Sequence, residues 1–177
     1  MSTPNRPLRV LRELPAPVRW LSLPAVLAAC AAAVLWPGDY QPPTTAPVPA
    51  ADAVGPCLAL MKQLPQQIEG HPRTDPSAYV AVWASSPRTV LRCGVPRPAS
   101  LDTHGSELGP NVDGVQWYME GDGHGGNKFT LTLHQLYVEV AVPEGATPYP
   151  ADPLAPVSPA VLATIPDLSG ELNNPSD

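Results

Sequence analysis

Two of the histidines stand beside an aspartate in glycine-containing stretches, His104 in LDTHGSELG and His124 in GDGHGG. Histidine nitrogens and aspartate oxygens are common ligands of divalent metal ions, so His104 with Asp102 and His124 with Asp122 are candidate ligands on two loops. Glycine also provides the positive φ that a tight turn needs, and Asp and His side chains are readily solvated there. We prefer the turn interpretation for both stretches, and the sequence therefore predicts no metal site.

The signatures of common enzymes are missing from the sequence. It contains no H-E-x-x-H, no G-x-S-x-G and no G-x-x-x-x-G-K-[ST], which mark zinc proteases, α/β-hydrolases and phosphate-binding loops. Ser106 lies near His104 in the sequence, but catalytic partners meet through the fold rather than through adjacency. We accordingly predict no catalytic residue and no cofactor.

The chain has three cysteines, Cys30 in an apolar run and Cys57 and Cys93 beyond it. An even pair of cysteines in an oxidising compartment predicts a disulfide between Cys57 and Cys93. The bond would close a loop of about 36 residues and stabilise the fold by roughly 3–4 kcal/mol. Two separate buried thiols are the alternative. A metal site is less favoured because neither cysteine has another one two to four residues away.

Residues 20–36 form an uncharged run, WLSLPAVLAACAAAVLW. At about 1.5 Å per residue, a helix of this length reaches roughly 25 Å, just short of the hydrocarbon core of a bilayer. The run allows three interpretations: a spanning helix with tryptophans at both interfaces, a lipoprotein signal in which LAAC places a lipid on Cys30, or a secretory signal cleaved at residues 31–33. We favour the transmembrane helix over the lipoprotein, and the lipoprotein over secretion.

Charge is distributed unevenly about this run. Residues 1–19 carry four arginines and one acidic residue, Glu13, whereas acidic side chains predominate in the rest of a chain whose net charge is −6. Basic residues lie on the cytoplasmic side of membrane segments, so we expect 1–19 to be cytoplasmic and everything after residue 36 to be extracytoplasmic, with the cell membrane as a partner through residues 20–36. The acidic exported part argues against nucleic acid or an anionic lipid surface as a partner, because both require clustered Lys and Arg.

The 26 prolines are concentrated on both sides of a central stretch. Proline at high density disfavours regular structure. The sequence therefore predicts a Pro-rich linker at 37–56, a folded extracytoplasmic domain at 57–143 and a Pro-rich, irregular C-terminal tail at 144–177. A folded stretch this small buries a modest core, which a disulfide would help to stabilise.

The central stretch shows one helical pattern and several strand patterns. Cys57, Leu60, Met61 and Leu64 fall on one helical face, and Pro65 ends the helix. Alternating or β-branched runs predict strands at 79–83, 89–95, 115–120, 129–133 and 136–142. We predict an α+β fold: a small antiparallel sheet of four or five strands with one short N-terminal helix, preceded by a membrane segment and flanked by Pro-rich irregular arms.

A set of residues within 57–143 carries a family resemblance. Its most specific part is Leu91-Arg92-Cys93-Gly94-Val95 with a tryptophan partner; the full set is Cys57, Gly70, Arg73-Thr74, Trp83, residues 91–95, Pro98, Asp113-Gly114-Val115, Trp117, Phe129, Tyr137-Val138-Glu139-Val140 and Val142-Pro143. This set resembles the envelope proteins of domain of unknown function 3515. The resemblance implies an exported protein of high-GC Gram-positive bacteria, membrane-anchored or a lipoprotein, in a family without an established activity. Where that family tends to have glycine and arginine before the tyrosine strand, this chain has Leu133 and His134.

From these features we expect a non-enzymatic, membrane-tethered module that binds an envelope component or a partner protein. The candidate binding surface comprises Arg73, Arg92, Trp117 and His134. The alternative is a cell-wall hydrolase or ligand-processing enzyme whose site no motif reveals. A shallow surface would favour the binding module, whereas a pocket with two or more ionisable groups of perturbed pKa would favour the enzyme.

Overall fold

The computed structural model describes residues 40–104 and 109–168, and these form one eight-stranded antiparallel sheet with three helices. In chain order the elements are α1 (Val54–Gln63), β1 (Gln67–Ile68), β2 (His71–Ser77), β3 (Val80–Trp83), β4 (Thr89–Val95), α2 (Leu101–His104), β5 (Asn111–Val112), β6 (Val115–Gly121), β7 (Asn127–Leu131), β8 (Tyr137–Val142) and α3 (Leu154–Thr164). The strands follow the order β1-β2-β3-β4-β8-β7-β6-β5. Two meanders, β1 to β4 and β5 to β8, therefore meet at the centre of the sheet, where β4 pairs with β8.

The prediction of four or five strands is wrong, because the described residues contain eight. Strands β1 and β5 have two residues each, too few to show an alternating pattern. Strand β2 contains two prolines and no fully buried side chain, so it lacks the apolar alternation that identifies a strand. The missed strands lie at and beside the two edges of the sheet, where burial on one face is least needed.

The membrane segment of the predicted fold has no counterpart in the described structure. Within residues 40–104 and 109–168, no helix combines the length and the apolar character needed to cross a bilayer. Residues 20–36, which include Cys30, lie outside the described residues, as does the predicted cytoplasmic segment 1–19.

The C-terminal arm is not irregular throughout, because it contains helix α3. Pro156 lies in the first turn of α3, where backbone N–H groups have no intrahelical partner, so only Pro159 removes a helical hydrogen bond. Burial outweighs that loss: the helix buries one face of residues at helical spacing, Leu154, Val157, Ser158, Ala160 and Val161. The prolines hid this spacing from the sequence pattern.

The core lies between one face of the sheet and the helices α1 and α3. Alternate side chains of the central strands point to that face because the strand period is two. They form a single cluster with the buried faces of the two helices; its strand members include Ala81, Trp83, Leu91, Cys93, Trp117, Phe129, Leu131, Val138 and Val140.

A disulfide joins Cys57 of α1 to Cys93 of β4 within this core, with their Cα atoms 5.6 Å apart. Both cysteines are fully buried. The predicted pairing is thus confirmed. A helix as short as α1 is not stable by itself in water, so the bond and the apolar face together hold it on the sheet.

Residues 40–50, part of the predicted Pro-rich linker, lie against the sheet on the face opposite to the core. We call this segment the strap and this face the outer face. The backbone N–H of Arg88 donates to Oε1 of Gln41 (3.1 Å), and Nη2 of Arg88 donates to the carbonyl of Pro42 (2.9 Å). Further along, Pro49 packs against Gly94, where a Cβ atom would lie only 2.7 Å from the Pro49 Cβ.

The two anchor points of the strap lie on either side of Val90 in β4. Val90 forms a second buried apolar cluster with Val80 and Val82 of β3. Their side chains alternate with core residues along both strands, so these valines belong to the outer face. The N-terminal arm therefore contacts the sheet at both ends of β4 instead of leading directly away from it.

Removing the disulfide should destabilise the fold through the unfolded chain, whose conformational freedom the bond restricts. For the double substitution Cys57→Ala and Cys93→Ala we expect the free energy of unfolding to fall by roughly 3–4 kcal/mol. Chemical denaturation of the variant beside the unreduced protein measures this difference. An unchanged denaturation midpoint would show that the core alone fixes α1.

Adding a side chain at Gly94 should displace Pro49 and release the strap from the sheet. Gly94→Ala adds a Cβ where only 2.7 Å separates it from Pro49, at a φ of +81°. Gly123→Ala is the matched control, because Gly123 has the same φ of +81° but nothing within 4 Å of the added atom. We expect faster proteolytic cleavage within residues 40–50 for Gly94→Ala than for Gly123→Ala. Equal cleavage rates would mean that Pro49 does not hold the strap.

Candidate binding groove

Charged side chains of four neighbouring strands share the outer face of the sheet. Arg92 of β4 lies opposite Glu139 of β8, and Lys128 of β7 lies opposite Glu120 of β6. Each of them has the opposite parity to the core residues of its strand, for example Glu139 between the buried Val138 and Val140. The same alternation that builds the core thus places opposite charges side by side on the other face.

Both cross-strand pairs are closed ion pairs. Arg92 donates from Nη2 (2.7 Å) and Nε (3.1 Å) to the same oxygen, Oε1 of Glu139. Nζ of Lys128 lies 2.6 Å from Oε1 of Glu120. The other oxygen of Glu120, Oε2, accepts a hydrogen bond of 2.7 Å from the Ser100 hydroxyl, which comes from the loop after β4. The loop is therefore attached to the charged face of the sheet.

The surroundings of the Lys128–Glu120 pair move both pKa values toward the charged forms. Burial raises the pKa of Glu120, but the hydrogen bonds from Lys128 and Ser100, with the charge of Lys128, outweigh it and hold that pKa below its ordinary value. Burial lowers the pKa of Lys128, but the hydrogen bond and charge of Glu120 outweigh it and raise that pKa. Both groups therefore remain charged across a wide range around neutral pH.

The loop that follows β4 forms the opposite wall and leaves a groove of about 410 Å³, which we call the outer groove. The groove has the four charged strand residues on one side and Val95, Pro96, Arg97, Pro98, Ala99 and Ser100 on the other. Arg97 donates from Nη1 to the Tyr137 hydroxyl (2.6 Å) and from Nε to Oδ1 of Asp102 (3.1 Å). These contacts, above all the one with Tyr137, raise the pKa of Arg97.

Of the four residues of the predicted surface, Arg92 and His134 border neighbouring cavities. Arg92 lines the outer groove. His134 is buried at the turn between β7 and β8 and lines two other cavities, one of which also has Arg97 in its wall. Arg97 therefore stands between the cavity of Arg92 and that of His134.

Arg73 and Trp117 do not lie at this groove. Arg73 pairs with Trp83 in the sheet, so it points to the core side, where its Nη1 donates to the carbonyl of Leu64 at the C-terminus of α1 (2.6 Å). A cation at this position satisfies a helix-terminal carbonyl and complements the helix dipole. Trp117 is wholly buried in the core and presents no surface. Both residues support the fold.

The predicted surface did not include five residues that line the groove: Arg97, Ser100, Glu120, Lys128 and Glu139. A signal for three of them was present, because Glu120, Lys128 and Glu139 occupy strand positions of opposite parity to core residues. That parity places them on one face, but their pairing depends on which strands are neighbours, and the β4–β8 pairing joins segments far apart in the chain. Ser100 and Arg97 lie in an irregular loop without any period.

The glycine-rich stretch around His124 is organised as a turn. Oδ1 of Asp122 accepts hydrogen bonds from the backbone N–H of His124 (2.7 Å) and of Gly126 (2.9 Å). The His124 ring stacks on Tyr40 at the start of the strap, with ring centroids 3.9 Å apart. The second stretch, around His104, lies partly outside the described residues. Within the described ranges, no three His, Cys, Asp or Glu residues form a group suited to a metal ion.

Comparison with known proteins identifies the family. The sequence profile of the family described as Protein of unknown function (DUF3515) matches residues 20–169, which is most of the chain. The protein therefore belongs to this family. No curated protein and no solved structure gave a significant match to the chain.

The lowered pKa of Glu120 predicts a pH-dependent contribution to stability. Because the folded pKa lies below the ordinary value of 4.5, the carboxylate stabilises the fold above about pH 4.5 and loses this effect as the pH falls through the folded pKa. For Glu120→Gln we expect a loss of about 1 kcal/mol near pH 7 that vanishes at strongly acidic pH, measured by denaturation at a series of pH values.

Glu69→Gln is the matched control for this substitution. Glu69 is exposed in the turn between β1 and β2, so its substitution should cost far less stability near pH 7 than Glu120→Gln does. An equal loss for Glu120→Gln at neutral and at acidic pH would mean that the substitution acts through packing and not through the charge of the carboxylate.

Proposed function

We propose that this protein is an exported binding module whose outer groove holds an anionic group of a cell-envelope component. The observation that carries the proposal is the concentration of Arg92, Arg97 and Lys128 in one groove, on a chain with a net charge of −6. Guanidinium groups bind carboxylate and phosphate oxygens through paired, charge-assisted hydrogen bonds. The ligand we infer is therefore a glycan or peptide of the envelope that carries a carboxylate or phosphate.

The groove retains donors for such a ligand. Its two carboxylates are already held, Glu139 by Arg92 and Glu120 by Lys128. A guanidinium has five N–H groups, and Arg92 uses two of them, both on one oxygen of Glu139. Arg97 is about half exposed, with 52% of its side chain accessible. An anionic oxygen can therefore bind to these two arginines while the Lys128–Glu120 pair stays intact.

The groove holds ionisable groups of shifted pKa, the feature expected above for an enzyme, but the direction of the shifts supports binding over catalysis. A general base or acid works best when its pKa lies near the working pH. Glu120 and Lys128 are shifted the opposite way, each toward its charged form, which makes the carboxylate a weak base and the ammonium a weak acid. The perturbed pair is thus suited to holding the loop and the groove in shape.

Two observations support a location on the outer side of the cytoplasmic membrane. Disulfides persist mainly in oxidising compartments, and the Cys57–Cys93 bond is buried in the core of the domain. The arginines of residues 1–19 precede an uncharged run, which is the charge arrangement of exported chains. The envelope is therefore where we expect the ligand.

The proposal is tested by measuring the affinity of the full chain for soluble cell-wall fragments with free carboxylates, by calorimetry. We expect Arg97→Gln to weaken binding by about tenfold or more, because it removes a charge-assisted contact from an exposed side chain. Amidation of the fragment carboxylates should have a comparable effect on the wild-type protein.

Lys62→Gln is the matched control, since it removes a positive charge from α1, on the other side of the sheet, and should leave the affinity unchanged. If Lys62→Gln weakened binding equally, the effect of Arg97→Gln would come from the overall charge of the protein and not from the groove. Chromatography of the fragments after incubation should recover them intact. Shortened fragments would instead establish a hydrolase.

A further inference from the structure

A histidine without a full set of hydrogen bonds lies between two cavities beside the outer groove. His134 follows β7, and only 7% of the residue is exposed. It lines one cavity of about 260 Å³ near the end of α3 and another of about 360 Å³ that extends to Arg97. The chain after α3 fixes its backbone, because Gln135 donates to the carbonyl of Pro166 and Leu168 donates to the carbonyl of Leu133.

The hydrogen bonds of the His134 imidazole determine which of its nitrogens can accept a hydrogen bond from a ligand. Nδ1 lies 2.8 Å from the carbonyl oxygen of Thr132, and since a carbonyl only accepts, Nδ1 carries the proton. In the neutral ring Nε2 is then an acceptor. Nε2 is buried and has no hydrogen-bond partner among the described residues. Buried polar atoms nearly always have a partner, so this acceptor marks a place where a ligand can supply the donor.

The other residues that line the larger cavity determine which further groups a ligand there would need. Leu101, Leu133 and Leu168 make part of it apolar, and Leu133 is 46% exposed. Arg97 and Tyr137 form another part, joined to each other by the 2.6 Å hydrogen bond between Nη1 and the phenol. His134, whose Nε2 has no partner among the described residues, thus shares this cavity with three leucines and one cation.

We propose that this cavity, which we call the His134 pocket, binds a small amphipathic molecule: an apolar body, a hydroxyl that donates to Nε2 of His134, and a carboxylate that pairs with Arg97. The size of the pocket is that of a site for a small organic molecule. This site is a different cavity from the outer groove, and its existence does not depend on the function proposed for the groove.

The test compares three probes of increasing length, 4-hydroxybenzoate, 4-hydroxyphenylacetate and 3-(4-hydroxyphenyl)propanoate, each with its counterpart lacking the hydroxyl. Binding to the full chain is measured by ligand-observed NMR and calorimetry. We expect at least one hydroxylated probe to bind roughly tenfold more tightly than its counterpart, since a donor then reaches a buried acceptor that otherwise has none.

The variant His134→Asn tests the role of Nε2. The Asn amide nitrogen stands close to the position of Nδ1, so it can still donate to Thr132, but the acceptor at Nε2 is gone. We expect this variant to bind both members of a probe pair equally. His71→Asn, on β2, is the matched control and should keep the preference for the hydroxyl.

A second measurement tests the proposal on the wild-type chain, in case the variant His134→Asn does not fold. In the wild-type chain the nitrogen-15 resonance of His134 Nε2 should move on binding of a hydroxylated probe and stay in place with the counterpart. The proposal is overturned if no probe binds at millimolar concentration, if the preference survives in His134→Asn, or if the Nε2 resonance responds equally to both members of a pair.

Discussion

Strand β4 is held on both of its faces and along both of its edges, and the rest of the structure depends on that position. Its edges pair with β3 and β8. On the core face, Cys93 is bonded to Cys57 of α1, and on the outer face Gly94 receives Pro49 of the strap. Arg92 directly precedes Cys93, so it can face only outward, because successive side chains of a strand alternate. The disulfide that joins α1 to β4 in the core therefore also fixes the direction of Arg92 toward the outer groove.

The two proline-rich arms belong to this arrangement. The strap contacts the sheet at Arg88 and Gly94, and α3 adds a buried face to the core on the other side. The segment after α3 also forms the wall behind His134, through backbone hydrogen bonds to Leu133 and Gln135. A small sheet buries a limited fraction of its surface, so covering both faces raises the apolar area removed from water. Proline suits the strap because an extended segment without internal hydrogen bonds loses little entropy when it docks.

The sequence predicted those elements whose period is regular and whose neighbours are close in the chain. The face of α1 and the strands β3 and β4 lie where the apolar spacing placed them, and the cysteine pair formed the expected bond. Strands β1 and β5 were too short for a period, and Pro156 and Pro159 concealed α3.

The site was predictable only in part, for a related reason. Arg92 was recognised within Leu91-Arg92-Cys93-Gly94-Val95, but its partner Glu139 is brought to it by the register of β4 against β8. Trp117 and Arg73 were predicted at the surface because large aromatic residues and arginines are frequent at binding sites. In the structure Trp117 fills the core, and Arg73 caps α1. No local pattern distinguishes an arginine that caps a helix from one that lines a groove.

The central claim is that the outer face of β4 and β8 binds the ligand while the core face only supports it. Hydrogen–deuterium exchange of the full chain, with and without soluble cell-wall fragments, tests this most directly because it reports on both faces in one measurement. The claim predicts slower exchange on binding at Val95 and in the loop after β4, at residues 96–100, with α1 and α3 unchanged. Slower exchange confined to α1 and α3, or none at a saturating concentration of fragments, would contradict it.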